Sequence, residues 1–194
     1  MSELSYDFDH LDTLMDDAGL DVLLVTSKHN VQYLMGGYRF LFFAAMDAIG
    51  HSRYLPIFAY VRGDKDKTAY VANTMEKGEY DNTPFWVPHF YPMSWGSLDS
   101  MTTAIEHLKK MGVHSGRIGV EHPFLPSDSM ALLQDSLPDC EVVSATTVLE
   151  NLRAVKSAGE LTQLRQASEN ITASMQATFA AVGEGATKYE IIEH

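Results

Sequence analysis

The fold is decided by the stretch Leu149-Glu-Asn-Leu-Arg-Ala-Val-Lys-Ser-Ala-Gly-Glu-Leu-Thr-Gln-Leu-Arg165. Within it, Ser157 and Glu160 have the Ser-x-x-Glu spacing of a capping box, in which each side chain accepts a hydrogen bond from the backbone N–H of the other residue. Behind that cap, apolar residues recur with the period of a helix, at Leu161, Leu164, Ile171, Met175, Phe179 and Val182. Gly183 and Gly185 then end the pattern. The sequence therefore predicts a helix of about seven turns.

A second cap follows the predicted helix. Thr187-Lys-Tyr-Glu190 repeats the capping-box spacing and opens on two isoleucines, yet the sequence ends before that helix has completed two turns. A helix that has just been capped has no physical reason to stop there. We therefore expect three parts: a domain over residues 1–155, a connecting helix over residues 156–185 and, over residues 186–194, the start of a second domain that is absent from this sequence.

The first 155 residues alternate between strand and helix patterns. Short apolar runs predict strands at 21–26, 55–61, 68–72, 117–121 and 141–144. Amphipathic stripes predict helices at 7–18, 98–108 and 127–137, with shorter helical turns at 30–34, 76–80 and 147–155. This alternation is typical of an α/β sandwich, and a hairpin turn at Gly63-Asp-Lys-Asp makes the predicted sheet mixed rather than purely parallel.

Two aromatic stretches have no clean period. Tyr38–Met46 is either a strand or an aromatic loop folded over a site. Phe85–Tyr91 is bordered and interrupted by prolines, which cannot donate to a hydrogen-bond ladder, so it can form only an edge strand or a bulged one. Ordinary packing explains most of the aromatic cluster in and after it, whereas a dimer contact or a flap is the alternative; the cluster consists of Trp86, His89, Tyr91 and Trp95.

Composition and charge indicate which partners and which cellular compartment to expect. The formal net charge of −12 predicts repulsion from nucleic acid and from anionic membranes, so we expect neither as a partner. The longest apolar run, Phe40–Met46, is too short to cross a bilayer, and the N-terminal residues lack the pattern of a signal peptide. Because Cys140 is the only cysteine, no internal disulfide is possible, and we expect a cytoplasmic protein.

The residues of this chain predict neither a metal site nor a nucleophile. None of the eight histidines forms a His-x-x-x-His or His-Glu-x-x-His pattern. Glu121 and His122 are a plausible pair of ligands, but we interpret them as a strand end that points into solvent. Cys140 lies between Asp139 and Glu141, whose charges disfavour a thiolate. We therefore predict no catalytic residue and no metal ligand in this sequence.

One cluster can bind a ligand. Arg39, His51 and Arg53 lie close in sequence to Tyr38 and to several phenylalanines, within a chain that is otherwise acidic. Cations beside aromatic rings can hold a carboxylate or stack on a flat group. The alternative is an aromatic edge of the core whose arginines are only solvated.

Four parts of the sequence carry a family resemblance. They are Leu152-Arg-x-x-Lys-Ser-x-x-Glu-Leu-x-x-Leu-Arg-x-Ala167, Gly119-Val-Glu121 with Leu125-Pro126, Asp21-Val-Leu-Leu-Val-Thr26, and Asn30-Val-x-Tyr-Leu-x-Gly36. In order and spacing they resemble the N-terminal domain of the creatinase, prolidase and aminopeptidase P family and its junction with a metal-dependent "pita-bread" catalytic domain. The resemblance implies a three-layer α/β/α sandwich, with a mixed sheet of about six strands and a ribonuclease H-like motif, followed by the connecting helix.

The resemblance also implies a function. The parent protein would be a hydrolase that cleaves a C–N bond, as an Xaa-Pro dipeptidase or aminopeptidase or as a creatinase-like enzyme. This sequence would be its non-catalytic domain, inactive alone, which contributes to homodimer formation and to specificity for a short peptide or small molecule. It would hold no cofactor itself, and a divalent metal (Mn, Co or Zn) would belong to the absent catalytic domain. The alternative is a free-standing α/β binding or interaction domain.

Site residues are implied only loosely. In the resembled family the N-terminal domain of one subunit reaches over the active site of its partner, and creatinase-like members use an aromatic residue and an arginine from this region to hold the substrate. Arg53 lies roughly where such an arginine would fall, with Arg39, Tyr38 and His51 as the further candidates.

Overall fold

Residues 4–45, 48–49 and 52–193 are described by the computed structural model. The strands are β1 (Val22–Val25), β2 (Ala48–Ile49), β3 (Ser52–Arg53), β4 (Ile57–Val61), β5 (Asp64–Asn73), β6 (His89–Ser94), β7 (Gly116–Val120) and β8 (Cys140–Ser144). The helices are α1 (Phe8–Asp17), α2 (Lys28–Leu34), α3 (Leu41–Ala45), α4 (Lys77–Asn82), α5 (Ser97–Lys110), α6 (Ser127–Ser136), α7 (Thr146–Ala154), α8 (Ala158–Ala181) and α9 (Lys188–Glu193). Contacts divide the chain into two compact units, residues 1–155 and 156–194.

A mixed sheet forms the middle layer of the first unit. Its six strands lie in the order β6-β5-β4-β1-β7-β8. Strand β1 is antiparallel to β4 and parallel to β7, while β4 and β5 form the predicted hairpin. Strands β6 and β8 lie at the two edges and run parallel to their neighbours. This is the mixed sheet of about six strands that the sequence predicts.

Side chains alternate between the two faces of the sheet, as the period of a strand requires. In β1, Leu23 and Val25 pack into a core shared with α1, α2 and α7. Val22 and Leu24 point to the opposite face and pack into a core shared with α5 and α6. Because β1 is covered by helices on both faces, all four of its residues are buried, which explains its continuous apolar run.

In the described residues of the first aromatic stretch no strand forms, and a helix replaces part of the predicted loop over a site. Leu41–Ala45 forms a single short helix, and the rings before and within it pack against the buried Tyr54, with Phe42 at 5.4 Å and Phe43 at 6.1 Å between ring centroids. Phe42 and Phe43 are both largely buried, so aromatic packing and not a strand or helix period decides the conformation. The second aromatic stretch behaves as predicted, because Pro92 lies in the edge strand β6 and the ladder is irregular beside it.

The hairpin is tighter than its sequence indicates. Val61 pairs with Asp64, so the turn consists of Arg62 and Gly63, and β5 begins four residues before the predicted start. Gly63 has φ +73°, a left-handed conformation that glycine adopts without strain. The early part of β5 is polar and partly exposed, so no apolar pattern marks it as strand.

The second unit is helical and begins at the predicted cap. Ser157 Oγ accepts from the Glu160 backbone N–H at 3.2 Å, and Glu160 Oε2 accepts from the Ser157 N–H at 2.8 Å. Thr187 and Glu190 form the second predicted box in the same way. Among the described residues, no helix combines the length and apolar character that crossing a bilayer requires.

Candidate functional site

A cleft of about 390 Å³ lies beside the end of β1 and is called here the Arg53 cleft. Strand β1 runs through two residues into helix α2, so the beginning of that helix faces the cleft. Arg53, the last residue of β3, also lines the cleft. The cleft is lined by Thr26, Ser27, Lys28, His29, Phe43, Ala44, Arg53, Tyr54, Leu55 and Phe124.

Glu121 fixes the wall of this cleft. Its Oε2 accepts from the backbone N–H groups of Thr26, at 2.9 Å, and Ser27, at 2.8 Å. Its Oε1 accepts from Asn30 Nδ2 at 2.7 Å, and Asn30 Oδ1 accepts from Arg153. The expectation that Glu121 points into solvent is therefore wrong. Glu121 is only 3% exposed, and its carboxylate accepts hydrogen bonds from the backbone of the turn between β1 and α2.

The charge of the Arg53 cleft favours an anion. Lys28, His29 and Arg53 are basic side chains, and none of the described residues that line the cleft is acidic. Thr26 adds a hydroxyl that is buried and, within the described part of the chain, has no hydrogen-bond partner. A buried polar group without a partner costs free energy, so a ligand that satisfied it would bind more tightly.

A second, larger cleft of about 490 Å³ is called here the Tyr38 cleft. It is formed by the turn after α2 and by α4 with the segment that follows it. Aromatic rings dominate its walls, and Glu79 is the one acidic residue among the described residues that line it. The lining consists of Met35, Gly36, Gly37, Tyr38, Glu79, Asn82, Thr83, Pro84, Phe85 and Trp86.

The carboxylate of Glu76 lies between the two clefts. It is fully buried and accepts hydrogen bonds from three tyrosine hydroxyls, those of Tyr38 at 3.0 Å, Tyr54 at 2.9 Å and Tyr70 at 2.7 Å. The backbone N–H of Asn73 adds a fourth, at 2.9 Å. Because Tyr38 lines one cleft and Tyr54 lines the other, this carboxylate connects their walls.

Burial controls the protonation of this cluster. It raises the pKa of Glu76 above its ordinary value, although the hydrogen bonds from Tyr70, Asn73, Tyr54 and Tyr38 oppose that rise. Burial, followed by the charge of Glu76, also raises the pKa of each of the three tyrosines. The tyrosine hydroxyls therefore stay protonated and donate hydrogen bonds to the carboxylate.

The structure separates the residues that the sequence grouped as one site. Arg53 is exposed and lines its cleft, whereas Tyr38 lines the other cleft and donates its hydroxyl to Glu76. Arg39 is exposed and lines neither cleft. His51 lies outside the described residues. What these four residues bind stays a prediction.

The described residues do not fit a metal ion. They bring together no group of three or more histidine, cysteine, aspartate or glutamate side chains that could ligate one. Glu121 uses both carboxylate oxygens on backbone and amide donors, and His122 is exposed. The pKa of Cys140 is raised, first by burial and then by the charges of Asp139 and Asp21, so its thiol is a poor nucleophile.

Sequence reasoning missed three residues that shape the clefts. Glu76 and Glu121 occupy positions that look like a short helix and a strand end, and only the tertiary fold brings their donors to them. His29 is the second residue of α2, and no periodic pattern marks it. One indication was available: Asn73-x-x-Glu76 has the spacing of a capping box, which the structure forms, and a cap predicts an ordered turn there.

The chain is similar to proteins of one family. The family model of the creatinase/prolidase N-terminal domain matches residues 8–155. A creatinase from Bacillus sp. (strain B-0618) is 26% identical over 180 residues, which are 93% of this chain and 40% of that protein. A prolidase structure from Thermococcus sibiricus superposes with a TM-score of 0.70 at 16% identity, over 97% of this chain and 48% of that one. A dipeptidase structure from Pyrococcus horikoshii OT3 has a TM-score of 0.69 at 19% identity, over 95% of this chain and 46% of that one.

The solved structures share the fold of this chain and confirm the predicted α/β architecture. The chain spans 40% of the curated relative and just under half of the two solved structures. The matched segment is therefore less than half of each of these longer proteins.

Proposed function

Because the chain belongs to the family of creatinase/prolidase N-terminal domains, we propose that it is the non-catalytic domain of a C–N hydrolase and helps to select that enzyme's substrate. The substrate is an Xaa-Pro peptide or a small creatine-like compound, the two classes named by its relatives. Residues 1–155 form this domain, residues 156–185 connect it, and residues 186–194 begin the catalytic domain. The parent enzyme is a cytoplasmic homodimer, and any divalent metal (Mn, Co or Zn) belongs to its catalytic domain.

The observation that carries this proposal is the charge of the Arg53 cleft. Peptides and creatine-like compounds end in a carboxylate, and a guanidinium binds a carboxylate through two parallel hydrogen bonds. Arg53 provides that group, while His29 and the Thr26 hydroxyl lie in the same cleft. Phe43 and Phe124 provide apolar walls that exclude water and strengthen the ion pair.

The cleft binds its substrate together with a neighbouring subunit. In this proposal the reacting atoms lie in the catalytic domain and not in this one. Arg53 is exposed, and in this proposal it meets the catalytic domain of the partner chain, with the substrate carboxylate between them. The alternative of a free-standing interaction domain has no specific observation in its favour.

The test uses the natural full-length enzyme and measures KM and kcat separately. Arg53→Ala removes a charge-assisted hydrogen bond worth about 1.5–3 kcal/mol, so KM rises by about tenfold to a hundredfold. This contact is made with the bound substrate as well as with the transition state, so kcat changes little. Arg53→Lys restores KM only partly, because an ammonium lacks the planar fork of a guanidinium.

Arg39→Ala is the matched control, because Arg39 is equally an exposed arginine of the same stretch but lines neither cleft. Its KM should equal that of the wild type. If Arg53→Ala also leaves KM and kcat unchanged, Arg53 does not bind the substrate and the proposal fails.

A further inference from the structure

The Tyr38 cleft has the features of a small-molecule site, and the Arg53 proposal does not use it. Its volume of about 490 Å³ is within the range of about 300–1,000 Å³ that is usual for ligand pockets. Tyr38, Phe85 and Trp86 are each partly exposed and line it together. The cleft lies wholly within the first unit, so its shape depends on that unit alone.

The aromatic walls are held in place before any ligand binds. Tyr38 and Phe85 are in contact, with ring centroids 4.4 Å apart, and Phe85 packs edge-on against Phe90 at 5.1 Å. Trp86 Nε1 donates to the Leu34 carbonyl at 3.1 Å. The Tyr38 hydroxyl is already engaged with Glu76, so the part of Tyr38 that remains for a ligand is its ring. A preformed site avoids the entropy cost of ordering side chains during binding.

The charge of the cleft is negative. Glu79 is exposed in α4 and lines the cleft, and no lysine, arginine or histidine is among the described residues that line it. Burial and then Glu76 raise the pKa of Tyr38, and the nearby charge of Glu79 raises it further. Aromatic faces carry negative potential as well, so the rings and the carboxylate attract the same kind of ligand.

From this arrangement we propose that the Tyr38 cleft binds a small organic cation whose charged group is an alkylated ammonium. The three rings contact the methyl or methylene groups around the nitrogen, and Glu79 supplies the counter-charge. Glycines at 36 and 37 open one side of the cleft, and at Gly37 even an added Cβ would meet nothing within 4 Å. A compact head group fits there, and the chemistry differs from the anion site at Arg53.

The test is calorimetric titration of the natural full-length protein with choline and with 3,3-dimethylbutan-1-ol, a neutral compound of nearly the same shape. Choline should bind about tenfold more tightly or better, because only the cation gains the interaction with the rings and with Glu79. Equal binding of the two compounds would show an apolar pocket and overturn the proposal. Methylguanidinium is the third ligand, and tighter binding of it than of choline would overturn the alkylammonium assignment.

Two variants locate the site. Glu79→Gln should weaken choline binding about threefold to tenfold and leave binding of the neutral compound unchanged. Glu106→Gln is the matched control, because Glu106 is also an exposed helical glutamate but lies on α5, away from the cleft, and it should change nothing. If Glu79→Gln binds choline as the wild type does, the cation binds elsewhere and the proposal fails. These results do not depend on Arg53, so the two proposals succeed or fail separately.

Discussion

Glu76 illustrates how one buried carboxylate can organise a region of the fold. A charge without partners in a protein interior is strongly unfavourable, and it is tolerated only where hydrogen bonds satisfy its lone pairs. Here two oxygens accept four hydrogen bonds, three of them from tyrosines. The same bonds fix the rings of Tyr38 and Tyr54, so Glu76 determines the walls of both clefts without lining either.

We expect Glu76→Ala to lower the free energy of unfolding by about 3–5 kcal/mol, because it leaves buried donors without an acceptor. Glu76→Gln should cost clearly less than Glu76→Ala, because the amide oxygen can still accept two of the four hydrogen bonds while its NH₂ group donates to tyrosine oxygens. Urea unfolding followed by circular dichroism measures both variants. Equal losses for both would show that volume and not hydrogen bonding is what Glu76 contributes.

The pH dependence of the difference in stability between the wild type and Glu76→Gln follows from the raised pKa of Glu76. The folded state binds the proton more readily than the unfolded state, whose ordinary value is 4.5, so Glu76 favours folding at low pH and that contribution is lost as pH rises through the folded pKa. Glu76→Gln does not titrate. The stability of Glu76→Gln relative to the wild type should therefore increase as the pH rises above about 4.5, the ordinary value of the pKa.

Neither Glu76 nor Glu121 could be predicted as a buried group from sequence. Acidic residues are almost always exposed, and nothing local to residue 76 or 121 indicates otherwise. Asn73 and Tyr70 are near Glu76 in sequence, but other donors are distant, such as Tyr38 for Glu76 and Thr26 for Glu121. Such pairs form only when the sheet assembles, so periodicity and spacing cannot reveal them.

At the scale of elements, the sequence predicted the bounds of a helix or strand correctly where the apolar residues form one continuous pattern. Strand β1 and helices α1 and α5 lie within one or two residues of their predicted bounds, because their apolar faces are continuous. Helix α3 was missed, because its aromatic residues pack against Tyr54 and follow no period. The early part of β5 was missed because β4 supplies its ladder while its own side chains are polar.

His107 joins helix α5 to the edge of the sheet. Its Nε2 lies 2.9 Å from the Lys67 carbonyl, which can only accept, so Nε2 carries the hydrogen. Nδ1 of the neutral ring then accepts from the Tyr91 hydroxyl at 3.1 Å. Burial lowers the pKa of His107, and the nearby charges of His89 and Lys110 lower it further, although the bond to Lys67 opposes them.

We expect the lowered pKa of His107 to reduce stability in mild acid. As pH falls below the ordinary value of 6.5, the unfolded state takes up a proton that the folded state resists, so the unfolding free energy decreases. The fall in Tm between pH 7.5 and pH 5.5 should be smaller for His107→Gln than for the wild type. His114→Gln, at an exposed position, is the control and should follow the wild type; an unchanged slope for His107→Gln would contradict the assignment.

At the scale of the whole molecule, the two units differ in how much they bury. The first unit has two cores, one on each face of the sheet. In α8, by contrast, no residue is buried, and the apolar stripe from Leu161 to Phe179 is 41–68% exposed. A helix that buries little depends on its caps and its intrinsic propensity for stability.

Hydrogen exchange should therefore distinguish the units in the 194-residue chain. Amides of α8 and α9 should exchange through local opening, much faster than those of β1 and β4, which open only when the first unit unfolds. Mass spectrometry of peptic fragments measures both sets in one sample. Equal protection of α8 and β1 would mean that the stripe is covered by another surface under the conditions used.

The sequence grouped Arg53 and Tyr38 in a single site. The fold explains why sequence alone could not predict that they line different clefts. The two residues are close along the chain, but helix α3 and the β2–β3 hairpin lie between them and carry them to different clefts. Residue type alone led to the hypothesis of a carboxylate clamp, which stays a prediction. Which residues share it depends on the path of an aromatic segment that follows no period.

A site completed by two subunits makes a quantitative prediction for mixed dimers. The partners are an Arg53→Ala variant with an intact catalytic domain and a variant inactivated in its catalytic domain that keeps Arg53. If Arg53 serves the neighbouring subunit, each mixed dimer has one intact site. Random exchange of equal amounts gives about one half mixed dimers, so about one quarter of all sites are intact.

Activity measured at substrate concentrations below the wild-type KM should therefore rise to about one quarter of the wild-type value after the subunits exchange. If Arg53 instead serves its own subunit, no mixed dimer contains an intact site, and the activity stays at the level of the Arg53→Ala variant diluted by its inactive partner.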